Sequence, residues 1–113
     1  MHLEMEKNEH ITGYAGNIAG WLECDVQCLG RRYISKIKKI LKGPDSFKEE
    51  IFSGNAYEAH VKKDYTTISY NFEEDWPEMA PCTLPTKMLY DVLEIWVKAC
   101  DEHDRSDKKA LRE

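Results

Sequence analysis

No apolar stretch in this chain approaches the length that a bilayer span requires. The opening residues, MHLEMEKNEH, have neither the basic start nor the apolar run of a signal peptide. A cytoplasmic protein is therefore expected, with Cys24, Cys28, Cys82 and Cys100 as reduced thiols. The motifs of several common chemistries are also missing: there is no G-x-S-x-G, no phosphate-binding loop and no dinucleotide glycine fingerprint. The compact paired spacing of zinc fingers and ribbons is absent as well. The chain shows no internal repeat and no long low-complexity tract.

What is present suits one folded domain over residues 1–113, with about 1–12 and 104–113 expected to be flexible. The composition is 42% hydrophobic and includes three tryptophans and six tyrosines, which argues against a disordered chain. The net charge of -5 conceals a separation of signs. Between Arg31 and Lys42 lie six bases and no acid, whereas Asn71 to Asp104 carries nine acids against Lys87 and Lys98. Such separation gives directional fields that steer partners. The acidic majority repels phosphates, so direct nucleic-acid binding is not expected.

From Tyr14 to Leu41 the apolar residues Ile18, Leu22, Val26, Leu29, Tyr33, Ile37 and Ile40 recur every three or four positions, the period of one helix face. Gly20 and Gly30 weaken a continuous helix, and a short strand over Ile18–Glu23 is the alternative for the first part. The second part, Arg31–Lys42, is basic in its last turns, which suits the helix dipole, and Gly43-Pro44 stops it. A first strand is expected over Ser46–Phe52, with Phe47 and Ile51 buried. In AYEAHVK, Tyr57, Ala59 and Val61 alternate with Glu58, His60 and Lys62, the pattern of a half-buried strand. After a turn at Lys63-Asp64, Thr66, Ile68, Tyr70 and Phe72 share one side of a second strand. Glu73–Thr83 reads as a loop, Thr83 as a helix cap and Pro85 as first-turn proline. Pro85, Met88, Leu89, Val92, Ile95, Trp96 and Ala99 then mark the apolar face of a closing helix that ends near His103, with Glu94 and Lys98 placed to pair. The expected fold is α+β and two-layered, an antiparallel sheet of two to three strands packed against N-terminal and C-terminal helices.

Each candidate for chemistry has a plainer reading beside it. Glu73, Glu74 and Asp75 are adjacent in a loop rather than set on facing elements, so they read as a solvated charge run rather than as an acid–base pair. Cys24, Cys28, Cys82, Cys100, His60 and His103 include enough ligand types for zinc, yet burial of the thiols as small hydrophobes is the simpler expectation. Cys82 is the best-placed nucleophile, but neighbouring acids raise a thiol pKa, and no histidine stands in motif relation to it. The bases of Arg31–Lys42 do not fall on one narrow stripe, and Tyr33 reads as core. No enzymatic activity, metal or cofactor is expected. Trp76 is either a plug that pins its loop onto the core or an exposed anchor, plugging being the commoner case.

The run from Gly54 to Cys100 resembles a known family. A GNAYEAHV strand leads into the hairpin strand DYTTISYNF, an acidic loop follows, and LPTKMLYDVLEIWVKA closes the order as a helix. This is similar to the small immunity proteins of bacterial contact-dependent growth inhibition and related polymorphic toxin systems. The resemblance implies a cytosolic protein that binds and neutralises a cognate toxin domain, often a basic nuclease, and it transfers no functional residues. Charge and loop position nominate the contact surface instead: Glu73, Glu74, Asp75, Trp76 and Glu78, with Tyr70, Asp91 and Glu94 beside them. The alternative is a small bacterial adaptor or regulatory subunit that presents the same surface to a basic housekeeping protein. Oligomeric state stays open.

Overall fold

A computed structural model of the chain describes residues 11–44 and 48–112, and the side chains described end at residue 103. Helix α1 (Gly16–Trp21) continues into a π-helical turn, Leu22–Val26, whose wide hydrogen bond runs from the Gln27 N–H to the Leu22 carbonyl at 2.7 Å. Gln27 ends the turn with φ of 49°, a left-handed conformation that is uncommon for a residue with a side chain. Helix α2 (Gly30–Lys42) follows and stops before Gly43-Pro44, as its sequence foretells. The helical reading of the first segment holds, and Ile18–Glu23 is not a strand. The interruption comes at 27–29, however, and Gly30 opens the next helix. A Cβ there would lie 2.5 Å from Val97 Cγ2, so glycine lets α2 approach the last helix closely.

Four strands form an antiparallel meander in the order β1-β2-β3-β4: β1 Glu49–Ser53, β2 Tyr57–Lys62, β3 Tyr65–Tyr70 and β4 Cys82–Pro85. Helix α3 (Thr86–Arg112) closes the fold. Alternation decides the buried face of β2 and β3: Tyr57, Ala59, Val61, Thr66 and Ile68 are buried, as their period-two pattern requires. The cross-strand pairs Ala59↔Ile68 and Ile68↔Cys82 carry that face across the sheet. All the helices cover this side, and Trp21, Ile37, Leu84, Leu89 and Leu93 complete the core with no exposed surface. Full burial of each leucine or isoleucine contributes about 1.5–3 kcal/mol, and Leu93→Ala would remove about 2–5 kcal/mol through lost contacts and the cavity left behind. The opposite face is open, with Ile51, His60, Thr67 and Thr83 in one row across the strands. No helix among the described residues is long and apolar enough to cross a membrane.

The α+β two-layer architecture agrees with the sequence reading, and five details correct it. The sheet has four strands, because Cys82–Pro85 pairs with β3 and, through Thr83, with Thr12. Thr83 is therefore a strand residue rather than a helix cap, and Pro85 ends β4 instead of opening the helix. In β1 it is Phe52 that faces the helices, while Ile51 is 51% exposed on the open side. On α3 the buried apolar residues are Leu89 and Leu93, and Ile95 is 70% exposed. Helix α3 also runs past His103 to Arg112. The expected burial of Phe47 and the expected flexibility of residues 1–10 lie outside the described residues.

Candidate functional site

The β3–β4 connection, residues 71–81, carries the main candidate surface. It is built from successive tight turns in which main-chain bonds link Glu73 N–H to the Tyr70 carbonyl, Asp75 to Phe72, Trp76 to Glu73 and Met79 to Trp76, all within 2.9–3.2 Å. These bonds use the backbone alone and leave the side chains free to face outwards. Both ends of the loop are anchored. At its start the Asn71 side-chain amide donates to the Gly54 and Asn55 carbonyls at 3.1 and 3.3 Å, and the Asn71 N–H donates to Ala56 at 2.8 Å. At its end the Ala80 carbonyl accepts from the side-chain amide of buried Asn17 at 3.0 Å and from the Tyr14 N–H at 3.2 Å.

On this loop Glu74, Asp75 and Glu78 are exposed and Glu73 is half-buried. Among the described residues none of these four makes a side-chain hydrogen bond or an ion pair; the ion pairs lie elsewhere, at Arg31–Asp101, Lys36–Glu50 and Lys87–Asp91, and Glu49 hydrogen-bonds the His60 ring. Trp76 is 52% exposed, so it does not plug the core. Phe72, expected on the core-facing side of β3, is also 52% exposed, because the strand ends at Tyr70 and the turn carries the next residues outwards. Its ring rests edge-on against Tyr70 at 5.6 Å, and Tyr70 in turn meets Tyr57 at 5.2 Å. Tyr70 thus sits half-buried on the helix side and supports Phe72.

Asp91 and Glu94 belong to a different part of the surface. Thr86, the first residue of α3, is held at the β2–β3 hairpin, where its N–H donates to the Asp64 carbonyl at 3.0 Å and its hydroxyl donates to Lys62. The acidic loop leaves from the opposite end of β3. Asp91 pairs with Lys87 at 3.8 Å, which is the ion pair on this helix face rather than the expected Glu94–Lys98.

Asp25, which no local sequence pattern marks, supports the hairpin beneath the loop. From the π-helical turn its carboxylate accepts three successive backbone N–H groups, those of Asn55 and Ala56 through Oδ1 at 3.0 and 3.2 Å and that of Tyr57 through Oδ2 at 2.7 Å. Gly54 makes room for it, since a Cβ there would fall 2.3 Å from the carboxyl carbon. One acid thereby fixes the tip of the β1–β2 hairpin, on which Asn71 and hence the start of the acidic loop depend.

The thiols divide by environment. Cys24 and Cys28 are exposed, contrary to the expectation of burial, Cys100 is half-buried, and Cys82 is buried. Burial pushes the Cys82 thiol above its ordinary pKa, a stronger reason against a reactive thiolate than the nearby acids. Tyr57 is raised too, first by burial and then by Cys24, Tyr70, Tyr14 and Asp25. Among the described residues no three His, Cys, Asp or Glu side chains converge to hold a metal ion. Comparison with protein-family models, with curated proteins and with solved structures finds no match for this chain.

Proposed function

We propose that the protein is a binding protein that neutralises a cognate basic toxin domain in the cytosol, covering it with the loop from Tyr70 to Met79. One observation carries this reading: four carboxylates with no cation partner among the described residues share a loop with two half-exposed aromatic rings, Phe72 and Trp76, and the loop is tied down at both ends. Unpaired carboxylates attract the cationic groups that a nuclease presents to phosphate. Exposed aromatic rings supply the anchors in which interface energy concentrates. Anchoring at both ends reduces the entropy lost on docking. Inhibition then follows from occlusion, without chemistry by this chain.

Growth protection and direct binding test this reading together. Cells producing a toxin domain encoded beside this chain should survive when the chain is co-produced. The variant Glu73→Lys/Glu74→Lys/Asp75→Lys should lose the toxin domain by about 100-fold in affinity, and Phe72→Ala/Trp76→Ala by a similar factor. Unchanged affinity in both variants would exclude the loop as the contact, and failure of the unaltered chain to protect would exclude the neutralising role.

A further inference from the structure

A second surface of opposite charge lies at the other edge of the sheet. Between α2 and β1 runs a groove of about 560 Å³, lined by Leu29, Arg32, Lys36, Lys39, Ile51 and Ser53 and floored by the rings of Tyr33 and Phe52. Three bases face it on a chain whose net charge is -5. The groove runs along the Ile51–Ser53 end of β1. Tyr33 packs edge-on against Phe52 at 4.8 Å, Lys36 reaches Glu50 at 3.5 Å, and beyond the end of α2 the Gly43 carbonyl accepts from Lys63, next to the residue that opposes Glu49. Helix α2 therefore runs antiparallel to β1 on the helix-covered face of the sheet.

That edge is unpaired among the described residues, since β1 is the first strand of the sheet and bonds only to β2. The Gly54 N–H donates to the Tyr57 carbonyl. In an antiparallel ladder the bonding positions alternate, so Phe52 and Glu50 bond to β2, whereas Ser53, Ile51 and Glu49 direct their N–H and C=O groups outwards. Such an edge is a template for another extended chain.

We propose that this groove takes an extended acidic segment of a protein partner, which adds to β1 as a fifth strand. Arg32, Lys36 and Lys39 are spaced along the helix by about 6 and 4.5 Å, a shorter repeat than the roughly 6.8 Å between same-side residues of a strand, which long flexible side chains can span. Carboxylates on alternate residues of the incoming segment meet these bases while its backbone bonds the edge. A second copy of this chain fits less well, because edge-to-edge pairing would bring two sets of the same bases together. A nucleic acid also fits less well: the half-buried Tyr33 ring is already engaged by Trp21 and Phe52, and no exposed aromatic ring lines the groove for base stacking.

Amide exchange on the full chain tests the proposal, with an acetylated and amidated peptide of four Glu-Val repeats as probe at millimolar concentration. Exchange at the Ile51 and Ser53 amides should slow by about 10-fold at saturation. The same peptide with lysine for glutamate, or with proline for valine, should give no protection. Arg32→Glu/Lys39→Glu should weaken the Glu-Val peptide by about 10-fold, with circular dichroism confirming the fold; both residues are exposed and neither is a core residue. Unchanged exchange at Ile51 and Ser53 overturns the proposal. Equal protection by an eight-residue oligothymidylate overturns it in favour of a general anion site. Protection without peptide, accompanied by a dimer in sedimentation, overturns it in favour of self-pairing.

Discussion

The acidic loop and the basic groove meet solvent in opposite ways, although both depend on the same hairpin. Among the described residues the loop's carboxylates have no counter-ion, and main-chain hydrogen bonds form its turns. In the groove Lys36 already pairs with Glu50 and lies over the Phe52 ring at 5.7 Å, so part of the positive charge also holds α2 to the sheet. Charge committed to an internal partner is less available to an external one. The loop is therefore the more open electrostatic surface, whereas the groove has the more defined shape and a row of unpaired backbone groups.

Breaking the shared support should disturb both regions and have the largest effect on stability. Asp25→Ala removes a charged acceptor from three N–H groups at the tip of the β1–β2 hairpin. Hydrogen bonds to charged groups contribute about 1.5–3 kcal/mol each, less where water replaces the acceptor. A loss of about 3 kcal/mol is expected in urea unfolding, with faster amide exchange at Asn55, Ala56 and Tyr57. Undiminished stability would mean that the two regions are supported independently.

The part of the fold visible in the sequence was the part set by local repetition. Alternation in AYEAHVK and YTTISY placed β2 and β3 in the right register, and the three-to-four spacing placed both long helices. Strand β4 has no local signature, because CTLP is four residues long, ends in proline and is a strand by virtue of its pairing with β3 and Thr12. In β1, Ile51 and Phe52 are adjacent, so apolarity could not say which faces the core. The acids of the loop were legible, but the exposure of Phe72 was not, because extending the β3 alternation by two residues passes the point where the turn begins. Asp25 acts on residues about thirty positions away, a distance that no local pattern reports.

The two raised pKa values in the buried face of the sheet give the next effect. Cys82 and Tyr57 keep their protons in the folded state to higher pH than in the unfolded chain, because burial disfavours their charged forms. Their contribution is fully present below about pH 9, the ordinary thiol value, and is lost as pH rises through the folded values. Stability should fall on the alkaline side by up to about 1.4 kcal/mol per pH unit for each group that ionises only when unfolded. Urea midpoints between pH 8 and pH 10.5 measure this, and Cys82→Ala should flatten part of the slope. The same burial predicts that iodoacetamide labels Cys24 and Cys28 well before Cys82.

Lys36→Ala probes the structural share of the groove's charge. Its ion pair is more than half exposed on the lysine side, and exposed pairs and cation–π contacts are each worth under about 1 kcal/mol. A loss of about 0.5 kcal/mol is expected, diminished at high salt.

The smallest effect should come from the loop itself. Glu73→Lys/Glu74→Lys/Asp75→Lys changes the charge by +6, two units at each of three positions, and takes the chain from -5 to +1. None of these carboxylates has a cation to lose among the described residues, and the turn bonds use main-chain groups that the substitution retains. Stability should stay close to that of the unaltered chain, with no loss beyond the ~0.5 kcal/mol scatter of surface substitutions. A drop well beyond that would show that the acids help to build the loop. Their lack of internal partners would then no longer distinguish them from the bases of the groove.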